Sequence, residues 1–217
     1  MRAAFTALTM LLLVTPAIQA TPLTPGSQVV PSAESALPAG SYAFSPTTVS
    51  ITGLNALGET RFTGTLMFAV YRESATGFLD FLYQYQNNIG SRDAVEHLSL
   101  TDFASVTTDV THLTTAPTGF GSGTVVPTIA TRSFGLGSVV AFDFPTPSSI
   151  APGQTTEVLA IHSNANQFDL GTTNLIDGGI ASVVTRGPRS APEPSTLTLF
   201  GGCLLGLAGC LARSKQS

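Results

Sequence analysis

The sequence predicts an all-β protein: a single antiparallel β-sandwich that lies between two apolar end segments. Between residues 40 and 188, apolar and polar residues alternate in short stretches, and Gly, Pro, Asn and Asp separate these stretches. No amphipathic helical period of convincing length interrupts this pattern. The chain has 217 residues, so one domain is expected once the end segments are set aside.

The N-terminal segment has the three parts of a secretory signal peptide. Arg2 precedes a largely apolar run from Ala3 to Val14, and the small residue Ala20 follows a few positions later. We therefore assign residues 1–20 to a signal helix, with cleavage after Ala20. No Cys follows the apolar run, which excludes a lipoprotein anchor.

Residues 21–39 are rich in Pro, Ser and Ala and predict a flexible leader, and the sandwich domain is expected at 40–188. The clearest hairpin in that domain joins Phe62–Tyr71 to Gly77–Gln86. In its second strand the core face consists of Leu79, Phe81, Tyr83 and Tyr85. Further strands are predicted at Val95–Leu100, Val106–Val110, Val139–Phe144, Val158–His162 and Ile180–Thr185. Turns or loops are predicted at Asn87–Gly90, Pro145–Pro152 and Asp177–Gly179.

Composition restricts the classes of partner. Charged residues make up 10% of the chain, against roughly 25% in an ordinary soluble domain. The body between the end segments carries twelve acidic residues and six arginines, so its formal charge is −6. An acidic surface without a basic cluster argues against nucleic acid and anionic lipid as partners. Both cysteines, Cys203 and Cys210, lie in the C-terminal apolar segment, so the body has no disulfide and no Cys nucleophile.

The body contains no recognisable catalytic motif, and we assign no catalytic residue, metal ligand or cofactor. Gly119–Gly123 resembles a hydrolase nucleophile turn but has the wrong spacing. Local His–acid pairs occur at Glu96–His97 and at Asp109 with His112. Residues at i and i+3 of a strand point to opposite faces, which argues against a shared metal ion at the second pair. We interpret the three histidines, His97, His112 and His162, as structural or surface residues.

Three further groups of residues have an ordinary structural explanation. Asp80 and Asp143 each interrupt an alternating apolar strand, which predicts a solvent-facing position. The Asn- and Asp-rich stretches 164–169 and 174–177 fit no calcium-loop template and predict turns. The tyrosines of the hairpin, Tyr71, Tyr83 and Tyr85, could instead form a platform for sugar rings, although β-strand aromatics are usually core residues.

The C-terminal segment has three parts as well. Pro192, Glu193 and Pro194 form a triplet that precedes an apolar stretch, residues 197–212, and Arg213 and Lys215 follow this stretch. As a helix, its 16 residues would extend about 24 Å, a little short of a hydrocarbon core of about 30 Å. This length fits either a marginal transmembrane helix, whose basic flank would stay cytoplasmic, or a recognition element, and we assign a transmembrane helix at 197–212.

This arrangement, at residues 189–217 of a chain with a signal peptide, resembles the PEP-CTERM proteins of Gram-negative bacteria. The resemblance implies that an exosortase processes the segment near Pro192, Glu193 and Pro194. It also implies attachment to the membrane through the C-terminal helix, and exopolysaccharide as a further partner. We accordingly expect an exported, non-enzymatic protein of the cell surface or extracellular matrix. The alternative is a secreted carbohydrate-binding module or carbohydrate-active enzyme.

Overall fold

The computed structural model describes residues 20–189, and these residues form an all-β domain, which confirms the predicted class. No helix occurs among them. The strands in chain order are β1 (Thr21–Pro22), β2 (Gln28–Val29), β3 (Ser32–Glu34), β4 (Gly40–Leu54), β5 (Thr60–Glu73), β6 (Leu79–Asn87), β7 (His97–Leu100), β8 (Thr108–Leu113), β9 (Ile129–Arg132), β10 (Val140–Asp143), β11 (Val158–Ser163), β12 (Phe168–Ile176) and β13 (Ile180–Pro188).

The strands belong to one continuous sheet that curls into a nearly closed, barrel-like form. Neighbouring strands follow the order β1-β8-β11-β6-β5-β4-β13-β12-β7-β10-β9-β2, and β3 pairs in parallel with β8. The two separate sheets predicted for a sandwich are instead one sheet, because β4 pairs with β13 at Leu54 and Ile180. This pair joins the strands from β1 to β4 in that order to the strands from β13 to β2. Alternation in a sequence shows which face of a strand is buried, but it does not show which strand edges pair.

The central strands β6 and β11 are buried on both faces of the sheet along most of their length. On the inner face, Leu79, Phe81, Tyr83 and Tyr85 of β6 are all buried in the main core, as the alternation predicts. On the outer face, Leu82 packs in a second, smaller cluster together with Ala160 of β11. An outer layer of chain therefore covers this part of the sheet, and polar side chains there are also withdrawn from solvent.

The N-terminal segment supplies part of that layer, which corrects the prediction of a flexible leader at residues 21–39. β1 pairs with β8, whereas β2 pairs with β9 at the other end of the strand order, so the segment links the two end regions of the sheet. Leu23 lies between them with 1% of its surface exposed. The prediction failed because pairing with a sheet edge uses backbone groups, which a Pro- and Ser-rich composition does not reveal.

The predicted hairpin and two of the predicted loops are confirmed. β5 and β6 are antiparallel, and Arg72 opposite Leu79 is the last residue pair before the loop that connects them. Asp177–Gly179 connects β12 to β13, and Gly178 adopts a positive φ of 56°, a conformation that favours glycine. The loop predicted at Pro145–Pro152 likewise lies outside the strands, between β10 and β11.

Several predictions concern residues outside the described range. They are the signal helix, the transmembrane helix at 197–212, and the sorting residues Pro192, Glu193, Pro194, Arg213 and Lys215. Within residues 20–189, no helix has the length and apolar character needed to span a membrane.

Candidate functional site

The site with the most unusual chemistry lies on the outer face of the sheet, around His162 of β11. In the sheet register, His162 is opposite Asp80 of β6 on one side and Asp109 of β8 on the other. Directly opposed residues share one face of a sheet, so these three side chains form a row across three strands. The neighbours of Asp80 along the chain, Leu79 and Phe81, point into the core on the other face.

Two more carboxylates complete the group. Glu34 ends β3, which runs along β8, and Glu73 ends β5. Their carboxylate oxygens lie 3.5 Å and 3.9 Å from the nearer ring nitrogens of His162. We call the histidine and the four carboxylates the acidic pocket. All of its members except Asp80 line an open cavity of about 530 Å³, together with residues 36–38.

The acidic pocket leaves two buried polar atoms without a hydrogen bond. The Nδ1 atom of His162 is 2.9 Å from Oδ1 of Asp80, a normal hydrogen-bond distance. The second oxygen of Asp80 (Oδ2) and the second ring nitrogen of His162 (Nε2) have no hydrogen-bond partner, and Asp80 is fully buried. The contact from Nε2 to Glu34, at 3.5 Å, is an ionic contact rather than a hydrogen bond of ordinary length. Buried polar atoms are seldom left unpaired in folded proteins.

The charges of the acidic pocket shift the pKa values of its members. Burial alone would lower the pKa of His162, but the hydrogen bond to Asp80 and the charges of Asp80 and Glu34 raise it to about 10. Burial raises the pKa of the Asp80 carboxyl, and His162 offsets this only in part. Burial likewise raises the pKa of Asp109. Because its pKa is raised, His162 is an imidazolium at neutral pH, which makes it a poor general base.

The other two histidines form isolated pairs. Nδ1 of His97 is 2.6 Å from Asp143, its cross-strand neighbour, and Nδ1 of His112 is 2.6 Å from Glu157. The pairs that are close in sequence, Glu96 with His97 and Asp109 with His112, do not form such a hydrogen bond. Glu96 accepts a hydrogen bond from Thr146. Asp109 and His112 face different partners, in agreement with their predicted placement on opposite faces.

The prediction that Asp80 faces solvent is wrong, because its side chain has no exposed surface. Asp143 does lie at partial exposure, with 30% of its side chain accessible. The residues next to Asp80 could not have indicated the difference, because Asp143 is likewise flanked by apolar residues, Phe142 and Phe144. No sequence signal indicates the contribution of Glu34 either, because it comes from the segment expected to be a leader.

The tyrosine platform considered for sugar rings does not form. Tyr83 and Tyr85 are buried in the core with 1% and 0% of their surfaces exposed, and the Tyr83 hydroxyl donates to the Arg186 carbonyl. Tyr71 packs edge-to-face on Tyr42, with 5.6 Å between ring centroids, and its hydroxyl donates to Pro38. The exposed aromatic strip that would favour a sugar-binding module is therefore absent from the described part of β5 and β6.

The Asn- and Asp-rich stretches, which were predicted to be turns, are turns only in part, because Phe168–Ile176 forms β12. The side-chain oxygen of Asn164 accepts a hydrogen bond from the backbone of Thr107 at 2.9 Å. Asp169 accepts one from the backbone of Leu170, and Asn174 accepts one from the Ser182 hydroxyl. Asp177 begins the β12–β13 turn. These contacts use the oxygens to hold turns and strand pairs.

Comparison with known proteins identifies the C-terminal segment. A family model described as the PEP-CTERM protein-sorting motif matches residues 190–214. The match includes Pro192, Glu193, Pro194 and Arg213, and ends one residue before Lys215. No curated protein and no solved structure matches the chain. The chain thus carries a PEP-CTERM sorting motif at residues 190–214. The motif implies export, association with the membrane or cell surface of a Gram-negative bacterium, and processing by an exosortase.

Proposed function

We propose that this chain is a non-enzymatic protein of the cell surface or the exopolysaccharide matrix, delivered by its PEP-CTERM tail. The observation that carries the proposal is the sorting motif at residues 190–214, because it specifies an address rather than a reaction. The body would then act as a stable β domain exposed outside the inner membrane.

Features of the body support this proposal. It lacks cysteine and carries a formal charge of −6. A negatively charged surface disfavours adhesion to anionic lipid. Each of the three histidines places Nδ1 against a carboxylate rather than a serine hydroxyl, and His162 is protonated at neutral pH. These environments suit ion pairing better than nucleophilic or general-base catalysis.

Replacement of Pro192, Glu193 and Pro194 by alanine should block processing of the tail. We expect most of the variant to remain in the membrane fraction with its C-terminal segment intact, whereas the wild type reaches the surface, matrix or medium. The measurement is immunoblotting of these fractions in a host that has an exosortase, with one antibody against the body and one tag after Ser217.

The matched control is the double substitution Ser195→Ala and Thr196→Ala, which changes the next two residues and leaves the triplet intact. It should be processed and distributed as the wild type is. Normal processing of the alanine triplet would contradict the role assigned to it.

A further inference from the structure

The acidic pocket contains more negative charge than its own histidine can balance. Four carboxylates, those of Glu34, Glu73, Asp80 and Asp109, surround one imidazole. Among residues 20–189, the basic side chain that contacts Glu34, Glu73 and Asp80 is His162. The arginine next to Glu73, Arg72, donates instead to the backbone carbonyls of Gly77 and Asn166. A cation is therefore the kind of ligand that this pocket would attract.

A second observation is independent of the charge count. Oδ2 of Asp80 is a carboxylate oxygen on a side chain with no exposed surface, and it has no hydrogen-bond partner. Leaving a buried polar atom unpaired carries a free-energy cost. The backbone holds Asp80 in this position, because it lies opposite His162 on one side and Tyr71 on the other. A bound cation would supply the partner that this carboxylate lacks.

The geometry suits a metal ion with three protein ligands. Ligand atoms of Glu73, Asp80 and His162 all lie within 4.8 Å of one another. Nδ1 of His162 is 2.9 Å from Oδ1 of Asp80 and 3.9 Å from Oε1 of Glu73. Bonds of about 2.0 Å in a tetrahedral arrangement place ligand atoms about 3.3 Å apart, and the two observed distances fall on either side of that value. A mixed set of imidazole and carboxylate ligands is typical of zinc and related first-row dications.

We propose that Glu73, Asp80 and Nδ1 of His162 bind one divalent transition-metal ion of the zinc type, and that Glu34 orients the imidazole. Binding releases the Nδ1 proton to solvent. The Nε2–H group then donates to Glu34, whose Oε2 atom lies 3.5 Å from Nε2 in the structure. Carboxylates commonly orient metal-ligating histidines in this way. Because Glu73 and His162 line the open cavity, the remaining coordination position faces solvent. This site does not depend on the proposed surface role, and its test is independent of sorting.

The test is isothermal titration of the purified exported protein with zinc chloride near neutral pH. The wild type should bind one ion per chain. Glu73→Gln and His162→Gln should each abolish measurable binding at this site. Glu34→Gln should weaken binding by roughly 10- to 100-fold, which is the usual effect of losing an orienting partner.

The matched control is His112→Gln, which removes a histidine whose Nδ1 is 2.6 Å from Glu157, outside the acidic pocket. It should bind zinc with the wild-type affinity and stoichiometry. Circular dichroism establishes whether each variant is folded. If His162→Gln is unfolded, Glu73→Gln decides, since Glu73 lies at a strand end with partial exposure.

The proposal is overturned if the wild type binds no zinc, because His162 then serves as the permanent cation of the pocket. It is also overturned if zinc binding persists in folded Glu73→Gln and His162→Gln, or is lost equally in His112→Gln. Binding of calcium in place of zinc would contradict the assignment to a transition metal.

Discussion

Replacing Arg132 with leucine should lower the free energy of unfolding by about 3–5 kcal/mol, because a buried acceptor left without its hydrogen-bond donor costs about 1–3 kcal/mol and several acceptors lose their donor at once. Arg132 ends β9 and is 5% exposed. Its guanidinium donates from all three nitrogens at 2.7–3.1 Å. The acceptors are the carbonyl oxygens of Leu23, Phe103, Val106 and Gly137 and the hydroxyl of Thr108.

The expected cost is large because these acceptors come from separate parts of the chain. Thr108 begins β8, whereas Arg132 belongs to β9 at the other end of the strand order, and Leu23 lies in the N-terminal segment between them. A guanidinium has five N–H donors, and all five have acceptors at this position. Leucine would leave the four carbonyl groups without this donor.

The measurement is urea-induced unfolding followed by circular dichroism. Arg132→Lys should also be destabilised, since an ammonium group has three donors in place of five. The control is Arg189→Leu, at an exposed arginine whose side chain makes one long contact of 3.4 Å with Gln167. Equal unfolding midpoints for Arg132→Leu and Arg189→Leu would contradict the bridging role of Arg132.

Replacing Gly123 with alanine should lower the free energy of unfolding by about 2–3 kcal/mol through overpacking. A Cβ atom at this position would lie 1.8 Å from the Thr156 carbonyl oxygen and 2.8 Å from the Glu157 nitrogen. Both clashes are with backbone. That backbone is held in place, because Glu157 donates to the carbonyl of Val125 at 2.9 Å and Val125 donates in turn to Thr155.

Gly121 provides a matched control two residues earlier in the same loop. A Cβ atom there would approach only the Gln84 side-chain oxygen, at the ordinary contact distance of 3.7 Å. Gly121→Ala should therefore change stability by less than about 0.5 kcal/mol. Thermal unfolding of the two variants provides the comparison. If both unfold at the same temperature, the close approach of Gly123 to Thr156 is not a structural constraint.

The strands that the sequence predicts well are those with one strongly apolar face. β5 and β6 were expected at Phe62–Tyr71 and Gly77–Gln86, and they occur at Thr60–Glu73 and Leu79–Asn87. Their connection is short, so adjacency in sequence also determined their pairing. In these elements local alternation and tertiary burial agree.

β12 was not predicted as a strand, because much of its buried surface is polar or lacks a side chain. Thr173 and Thr185 are buried and bonded to each other at 2.9 Å. Gly171 lies where a Cβ would come within 3.0 Å of the Gly187 nitrogen. Hydropathy cannot identify such positions, since their burial depends on a partner on the next strand.

The acidic pocket could not be predicted for a related reason. His162 and Asp80 are 82 positions apart in the sequence, and Glu34 comes from a segment whose composition indicates a leader. Each residue has an ordinary explanation when it is considered alone. The strand order β8-β11-β6 brings them together, and that order follows from long-range pairing.

The most direct test of the proposed function is intact-mass analysis of the mature protein from separate membrane, matrix and culture-medium fractions of its native host. We predict a species in the matrix or medium that lacks both residues 1–20 and the segment after Pro194. If the chain is found only in the membrane fraction and retains Leu197–Ser217, the tail is an ordinary anchor. That result would contradict sorting to the surface or matrix.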